Sequence, residues 1–285
     1  MTEPLESAPL GSPPRELTFV KASSPPFIQK INGEDYDVIS IAVDIPGFGR
    51  PTDTFVFLGE GNFTFSNAFA SRRESWQGVV PTTFDASEQS LKKTAKDWAG
   101  TLEANVKNAT KEDMKNEMKY WMKTKPPQQR HLDATNLGDR AGLSSRLGIP
   151  KDSTITLWFQ GPWSEGFPGG QINFIKAFMH SGAAVQKHGE LLLLGLCIDE
   201  GKNSRADDAP APYVHYYGKL QSAGSDYYDC VGADLQFVGE MIRRGYRHEA
   251  AAAGHCADKF ATLLFRRNSQ AFIKEAAQPE KPASS

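Results

Sequence analysis

The run Phe55-Val56-Phe57-Leu58 ends directly in Gly59-Glu60-Gly61, and the helical stretch Phe63–Arg72 follows at once. An uninterrupted apolar run of Val, Leu and aromatic residues reads as a strand buried on both faces, the kind that sits inside a parallel sheet. Glycines at its carboxyl end permit a tight turn and a close approach of backbone to ligand, and that end is where open α/β sheets bind their ligands. The chain is therefore expected to be α/β. A dinucleotide turn carries a third glycine three residues on, and Thr64 stands in that place.

Other segments agree with an α/β pattern. Strands are expected at Thr54–Leu58, Gly78–Phe84, Thr154–Phe159, Glu190–Cys197 and Lys259–Phe265. Helices are expected from Ser87 to about Lys123, over Gln171–Lys187 and over Ala233–Arg244, the last ending at Gly245 as a helix C-terminus often does. Alternation of this sort gives a mostly parallel sheet with helices on both faces. With 285 residues, one core and one domain over residues 17–277 are expected. Residues 1–16 and 278–285, rich in Pro, Ser and charged residues, are expected to be disordered ends. Residues 17–51, with strand-like Tyr36–Val43 and the turn Pro46-Gly47-Phe48-Gly49, precede the core and are expected to be a hairpin or cap. The stretch Asp199–Asp229, with His215 among Tyr213, Tyr216, Tyr217, Tyr227 and Tyr228, reads as a long loop that covers a site.

Composition removes several function classes. The apolar run Leu191–Cys197 is far shorter than the roughly 20 residues of a spanning helix, so no membrane partner is expected. The first thirty residues lack the apolar core of a secretory signal, which points to the cytoplasm. Cys197, Cys230 and Cys256 have no C-x-x-C spacing, so neither a disulfide framework nor a metal site is expected. A net charge of −2 gives no global attraction for nucleic acid, and any RNA contact has to be local. Lys107, Lys111, Lys115, Lys119 and Lys123 recur at helical spacing, but Glu103, Glu112, Asp113 and Glu117 interleave with them and favour a solvated, salt-bridged face over a phosphate track.

Two acids follow the glycine turn at successive strand tips. Thr82-Thr83-Phe84-Asp85 places a carboxylate where it can accept ribose hydroxyls, and Asp133 ends a short third strand where it can accept an adenine amino group. The competing role for each acid is a helix N-cap. Their serial placement favours the ligand role.

Taken together, Leu58-Gly59-Glu60-Gly61-Asn62-Phe63-Thr64-Phe65-Ser66, Thr82-Thr83-Phe84-Asp85, Asn105-Val106 and Asp133-Ala134-Thr135 resemble the Rossmann-like domain of the large-subunit rRNA uridine-N3 methyltransferase family. The resemblance spans roughly Thr54 to Leu196, with an echo in Arg244-Gly245-Tyr246-Arg247-His248. It implies a Rossmann-like class I methyltransferase fold and S-adenosylmethionine as cofactor. It also implies a cofactor-binding set of Gly59, Glu60, Gly61, Asn62, Phe63, Asp85, Asp133 and Ala134. That cofactor has no pyrophosphate, so the missing third glycine is dispensable.

The chain departs from the family after the fourth strand, where N-F-P-H is replaced by Gln160-Gly161-Pro162-Trp163. Gln160 keeps an amide that can fix an acceptor nitrogen, Pro162 keeps a rigid turn, and Trp163 offers a stacking face while removing a proton acceptor. These three residues are the expected catalytic set, with packing as the competing role for Trp158, Phe159 and Trp163. The expected acceptor is a nucleobase nitrogen in RNA or a similar planar heterocycle. A small-molecule methyltransferase and a non-catalytic protein that binds S-adenosylmethionine remain the alternatives.

Overall fold

The computed structural model describes residues 18–21, 28–31, 34–42, 53–61, 63–73, 75–84, 130–162, 167–168, 170–197, 220–246 and 260–270. The expected disordered ends, the expected helix with its lysines, and Tyr213, His215, Tyr216 and Tyr217 lie outside these residues, as do Asn62, Asp85 and Trp163.

The strands are β1 (Thr18–Lys21), β2 (Ile28–Ile31), β3 (Glu34–Asp37), β4 (Ile39–Ala42), β5 (Asp53–Leu58), β6 (Val79–Thr83), β7 (Arg130–His131), β8 (Thr154–Gln160), β9 (Leu191–Cys197), β10 (Tyr228–Asp234) and β11 (Phe260–Arg267). The helices are α1 (Thr64–Arg73), α2 (Arg140–Leu147), α3 (Gly170–Val185), α4 (Leu220–Gly224) and α5 (Phe237–Arg243). Seven strands form one sheet in the order β10-β11-β9-β8-β5-β6-β7. Strands β7, β6, β5, β8 and β9 are parallel to their neighbours, whereas β11 runs antiparallel to both β9 and β10. The chain winds outward from β5 through β6 to β7, then returns to β8 on the other side, so the winding direction switches between β5 and β8. This order, with one reversed strand slotted between the last two, is the Rossmann-like class I methyltransferase arrangement.

Each face of the sheet carries its own core. Val56, Leu58, Leu157, Phe159 and Leu194 pack with Leu143 of α2 and with Ile175, Phe178 and Met179 of α3. On the other face Phe57, Trp158, Leu193 and Leu264 pack with Phe65 and Phe69 of α1 and with Phe237 and Met241 of α5. Trp158 is the hub of that second core. Its ring stacks on Phe57 at 5.7 Å and meets Phe237 at 5.0 Å and Phe65 at 5.4 Å. Burial on both sides explains why β5 and β9 read as continuous apolar runs.

Residues ahead of the core guard the sheet edge. Strands β2 and β3 form an antiparallel pair, β1 pairs with β4, and Val38 bridges to Ala233 of the edge strand β10. Asp234 anchors this segment by accepting the Ile41 N–H at 2.6 Å. Covering an edge strand in this way removes a template for pairing with another chain. A cavity of about 200 Å³ remains between the pair β2–β3 and β10, lined by Ile28, Tyr36, Gln221, Cys230 and Gly232. Burial pushes the free Cys230 thiol up to about 12.

Three sequence expectations need correction. The expected helix Ala233–Arg244 begins later, because Ala233 and Asp234 still belong to β10 and Asp234 Oδ1 accepts the N–H groups of Gln236 and Phe237 at 2.8 and 2.9 Å to open α5. The expected loop Asp199–Asp229 contains α4 and the start of β10, and Tyr228 is a core residue whose hydroxyl donates to Gln186 at 2.8 Å. Helix α2 has no counterpart among the expected helices, because Gly142 and two serines weaken its pattern; caps hold it. Asp139 accepts the Gly142 N–H at 2.7 Å, and Gly148 closes the helix with φ 64°.

Candidate functional site

Parallel pairing of β5, β6, β7 and β8 brings their carboxyl ends to one edge of the sheet. Gly59-Glu60-Gly61 follows β5, Thr83 and Phe84 end β6, Asp133 and Ala134 follow β7, and Gln160 and Pro162 end β8. The crevice at a winding switch is the place where open α/β sheets bind ligands. Gly59, Glu60, Gly61, Asp133, Ala134, Gln160 and Pro162 therefore lie along one edge of the sheet. Asn62, Asp85 and Trp163 are not described.

The glycine turn needs its glycine on two counts. Gly59 has φ 64°, and a Cβ there would lie 2.6 Å from the Phe159 ring. Phe63 also has a positive φ of 56°, which only a firmly held side chain tolerates. It is buried against Trp76, and its carbonyl accepts from Asn67 N at 3.2 Å and Ser66 Oγ at 3.1 Å at the start of α1. Phe63 thus anchors the turn.

Glu60 is the charged group of this turn. Its backbone N–H extends the sheet ladder to the Thr82 carbonyl at 2.9 Å, and its side chain folds back so that Oε1 accepts the Ser66 N–H at 2.8 Å. The other carboxylate oxygen, Oε2, is buried and has no hydrogen-bond partner. Burial pushes the carboxyl up to about 7, against the lowering effect of Ser66.

At the tip of β7, Asp133 Oδ1 accepts both the N–H and the hydroxyl of Thr135 at 2.8 Å. The Asn136 N–H reaches the Asp133 carbonyl at 3.1 Å. This is a self-bonded Asx turn, so Asp133 is not the N-cap of the following helix, which is Asp139. Ala134 is buried.

Gln160 meets a feature that the sequence reading overlooked. It pairs in register with Gly195, Gly195 pairs with Thr262, and Thr262 pairs with Asp234. Cross-strand partners share a face, so these four residues form one row, on the face that carries Trp158, Leu193 and Leu264. The Gln160 amide lies directly over Gly195, where any Cβ would overlap it. Both its amide atoms and the Thr262 hydroxyl are buried without a hydrogen-bond partner. A lone glycine inside the leucine strand Leu191–Cys197 was the available sequence signal, since it marks a close approach. Phe84, the aromatic position of the Thr82-Thr83-Phe84-Asp85 motif, is 66% exposed at the tip of β6, with its ring 6.0 Å from that of His131.

An unpartnered buried carboxylate oxygen at this turn suits a ligand group that carries positive charge. The turn supplies an unpartnered buried carboxylate oxygen and closely approachable backbone, and the adjacent strand end supplies an unpartnered amide. Among the described residues no group of three or more His, Cys, Asp or Glu is placed to hold a metal ion. No helix among them is long and apolar enough to cross a membrane.

No protein-family model matches the chain, and no curated protein matches it. Solved structures with similar folds include the 16S rRNA (adenine(1408)-N(1))-methyltransferase from Catenulisporales acidiphilia, at 10% identity and TM-score 0.43, over 77% of this chain and 89% of that one. The 16S rRNA methyltransferase KamB is similar at 12% identity and TM-score 0.43, over 76% and 89%. A TehB-like SAM-dependent methyltransferase from Corynebacterium glutamicum follows at 10% identity and TM-score 0.37, over 77% and 83%.

Proposed function

We propose that this chain is an S-adenosylmethionine-dependent methyltransferase whose acceptor is a nitrogen of a nucleobase in RNA or of a similar planar heterocycle. The observation that carries this reading is the position of the Gly59-Glu60-Gly61 turn at the carboxyl end of β5, beside the winding switch of a class I sheet. Gly59, Glu60, Gly61 and Phe63 form the turn that holds the cofactor, with Asp133 and Ala134 at a neighbouring strand end; the family resemblance adds Asn62 and Asp85 to this cofactor-binding set. The resemblance to the uridine-N3 methyltransferase family supports these assignments motif by motif. When bound, S-adenosylmethionine supplies an electrophilic methyl group.

The chain's own part is positioning. Gln160, at the end of β8, orients the acceptor through its amide, Pro162 fixes the turn that follows, and Trp163 supplies a stacking face. Phe84 adds an exposed aromatic surface at the same edge. No general base is required where the acceptor ionises readily, because alignment of the acceptor lone pair with the methyl carbon is the main demand of the transfer.

Incubating the full chain with methyl-labelled S-adenosylmethionine and separate RNA and small-molecule extracts tests this reading. Label in RNA supports the RNA acceptor, and label only in the small-molecule fraction moves the acceptor to a free heterocycle. Cofactor binding without label in either fraction leaves the non-catalytic alternative as the better one.

A further inference from the structure

On the face of the sheet that carries α1 and α5, Trp158, Leu193 and Leu264 pair in register as an apolar row. Two residues nearer the carboxyl edge the chemistry changes, because the next row is Gln160, Gly195, Thr262 and Asp234. Strand β11 runs antiparallel to β9, so Thr262 comes near the start of its strand and stands level with Gln160, the last residue of β8. A polar layer thus borders the crevice.

Asp234 is fully employed in that layer, accepting the Ile41, Gln236 and Phe237 N–H groups. The Thr262 side chain is buried, and its hydroxyl has no hydrogen-bond partner. Valine has nearly the same shape and suits a strand equally, so an unbonded hydroxyl at this position lowers stability with no structural return. On the other side of Thr262 along the row is the Gln160 amide, whose end fills the space over Gly195 and is likewise unpartnered. Gln160 is half-buried at the strand end, and its flexible chain lets the amide turn toward the crevice. The space over Gly195, where no Cβ stands, then gives a path to Thr262.

We propose that the Thr262 hydroxyl is a second polar contact for the acceptor, reached across Gly195 beside the Gln160 amide. The inference rests on the methyltransferase reading of this edge and adds a residue from β11 that decides which ring is accepted. An amide presents one donor and one acceptor side by side, and a hydroxyl can act as either. The pair therefore takes a heterocycle whose edge carries a donor beside an acceptor, as a lactam or an amidine does, with a further polar atom for Thr262. A ring that lacks this atom leaves the hydroxyl buried and unpaired, which is the basis for rejecting it.

Thr262→Val and Thr262→Ser in the full chain separate this role from a structural one. Each variant is incubated with methyl-labelled S-adenosylmethionine and the cell RNA or small-molecule extract that wild type labels, and its melting temperature and affinity for S-adenosylhomocysteine are measured alongside. Thr262→Val should melt no lower than wild type and bind S-adenosylhomocysteine equally, yet transfer label about tenfold more slowly. Thr262→Ser, which keeps the hydroxyl, should transfer label within about twofold of wild type. Wild-type transfer by Thr262→Val overturns the inference and leaves the methyltransferase reading intact. So does a lowered melting temperature in Thr262→Val, which gives the hydroxyl a structural partner, or a lost affinity for S-adenosylhomocysteine, which moves it to the cofactor. Absence of label from both extracts with wild type overturns the acceptor reading and the inference together.

Discussion

The Gln160 amide occupies the space that a side chain on Gly195 would fill, so the residue expected to orient the acceptor rests against a glycine on the neighbouring strand. The two glycines at this edge should therefore respond differently to alanine. In Gly195→Ala the new methyl displaces only the flexible end of a side chain that makes no hydrogen bond there, and stability should change by less than about 1 kcal/mol. Gly59→Ala meets a positive φ and the buried Phe159 ring together, and should cost about 2–4 kcal/mol. Urea denaturation of both variants checks the contrast, and equal losses would remove it.

Glu60 should make stability depend on pH with a definite sign. Its folded-state value is raised, so the contribution is fully present below the ordinary carboxylate value and is lost as pH rises toward about 7. Relative to Glu60→Gln, wild type should be equally stable near pH 4 and less stable at pH 8, by at most about 3 kcal/mol. Thermal or urea unfolding of the pair across this range gives the difference curve. A flat curve would mean that the carboxyl is not held in its neutral form by burial.

Asp234 joins three parts of the chain through the Ile41, Gln236 and Phe237 N–H groups. Burial raises its carboxyl, and those three bonds oppose the shift. Asp234→Ala leaves the buried Ile41 N–H unpaired and uncaps α5, and should cost about 2–4 kcal/mol. Amide hydrogen exchange should quicken at Ile41 before it does in β5 or β9. Exchange that quickens equally everywhere would contradict a local anchoring role.

Gln160→Ala should lower turnover and leave the affinity for S-adenosylhomocysteine nearly unchanged, because the lost amide serves the acceptor. Trp163→Ala should instead weaken acceptor binding by about 1–3 kcal/mol if the acceptor is a base. Steady-state kinetics on the labelled fraction separate the two effects. A Gln160→Ala variant whose only defect is cofactor affinity would move Gln160 into the cofactor set.

Much of the fold was legible because its central strands are buried on both faces. The runs around Val56 and Leu193 carry no polar residue that would blur them, and in the run around Leu157 the polar residues are β-favouring Thr154 and Thr156 and the terminal Gln160. Strand β10 was not legible: Asp229, Cys230 and Gly232 interrupt its pattern, and it is built by pairing with β11, which lies distant in sequence. The turn residues were found because glycines after a strand have a local cause in backbone geometry. Gly195 and Thr262 were not, since their significance arises only from the register that sets Gln160 beside Gly195 and Gly195 beside Thr262.

Equilibrium dialysis of the full chain against labelled S-adenosylmethionine, with unlabelled S-adenosylhomocysteine and a nicotinamide dinucleotide as competitors, bears most directly on the role of the Gly59-Glu60-Gly61 turn. Saturable binding at one site per chain, displaced by S-adenosylhomocysteine and untouched by the dinucleotide, is the expected result. Absence of binding, or displacement by the dinucleotide, would contradict it.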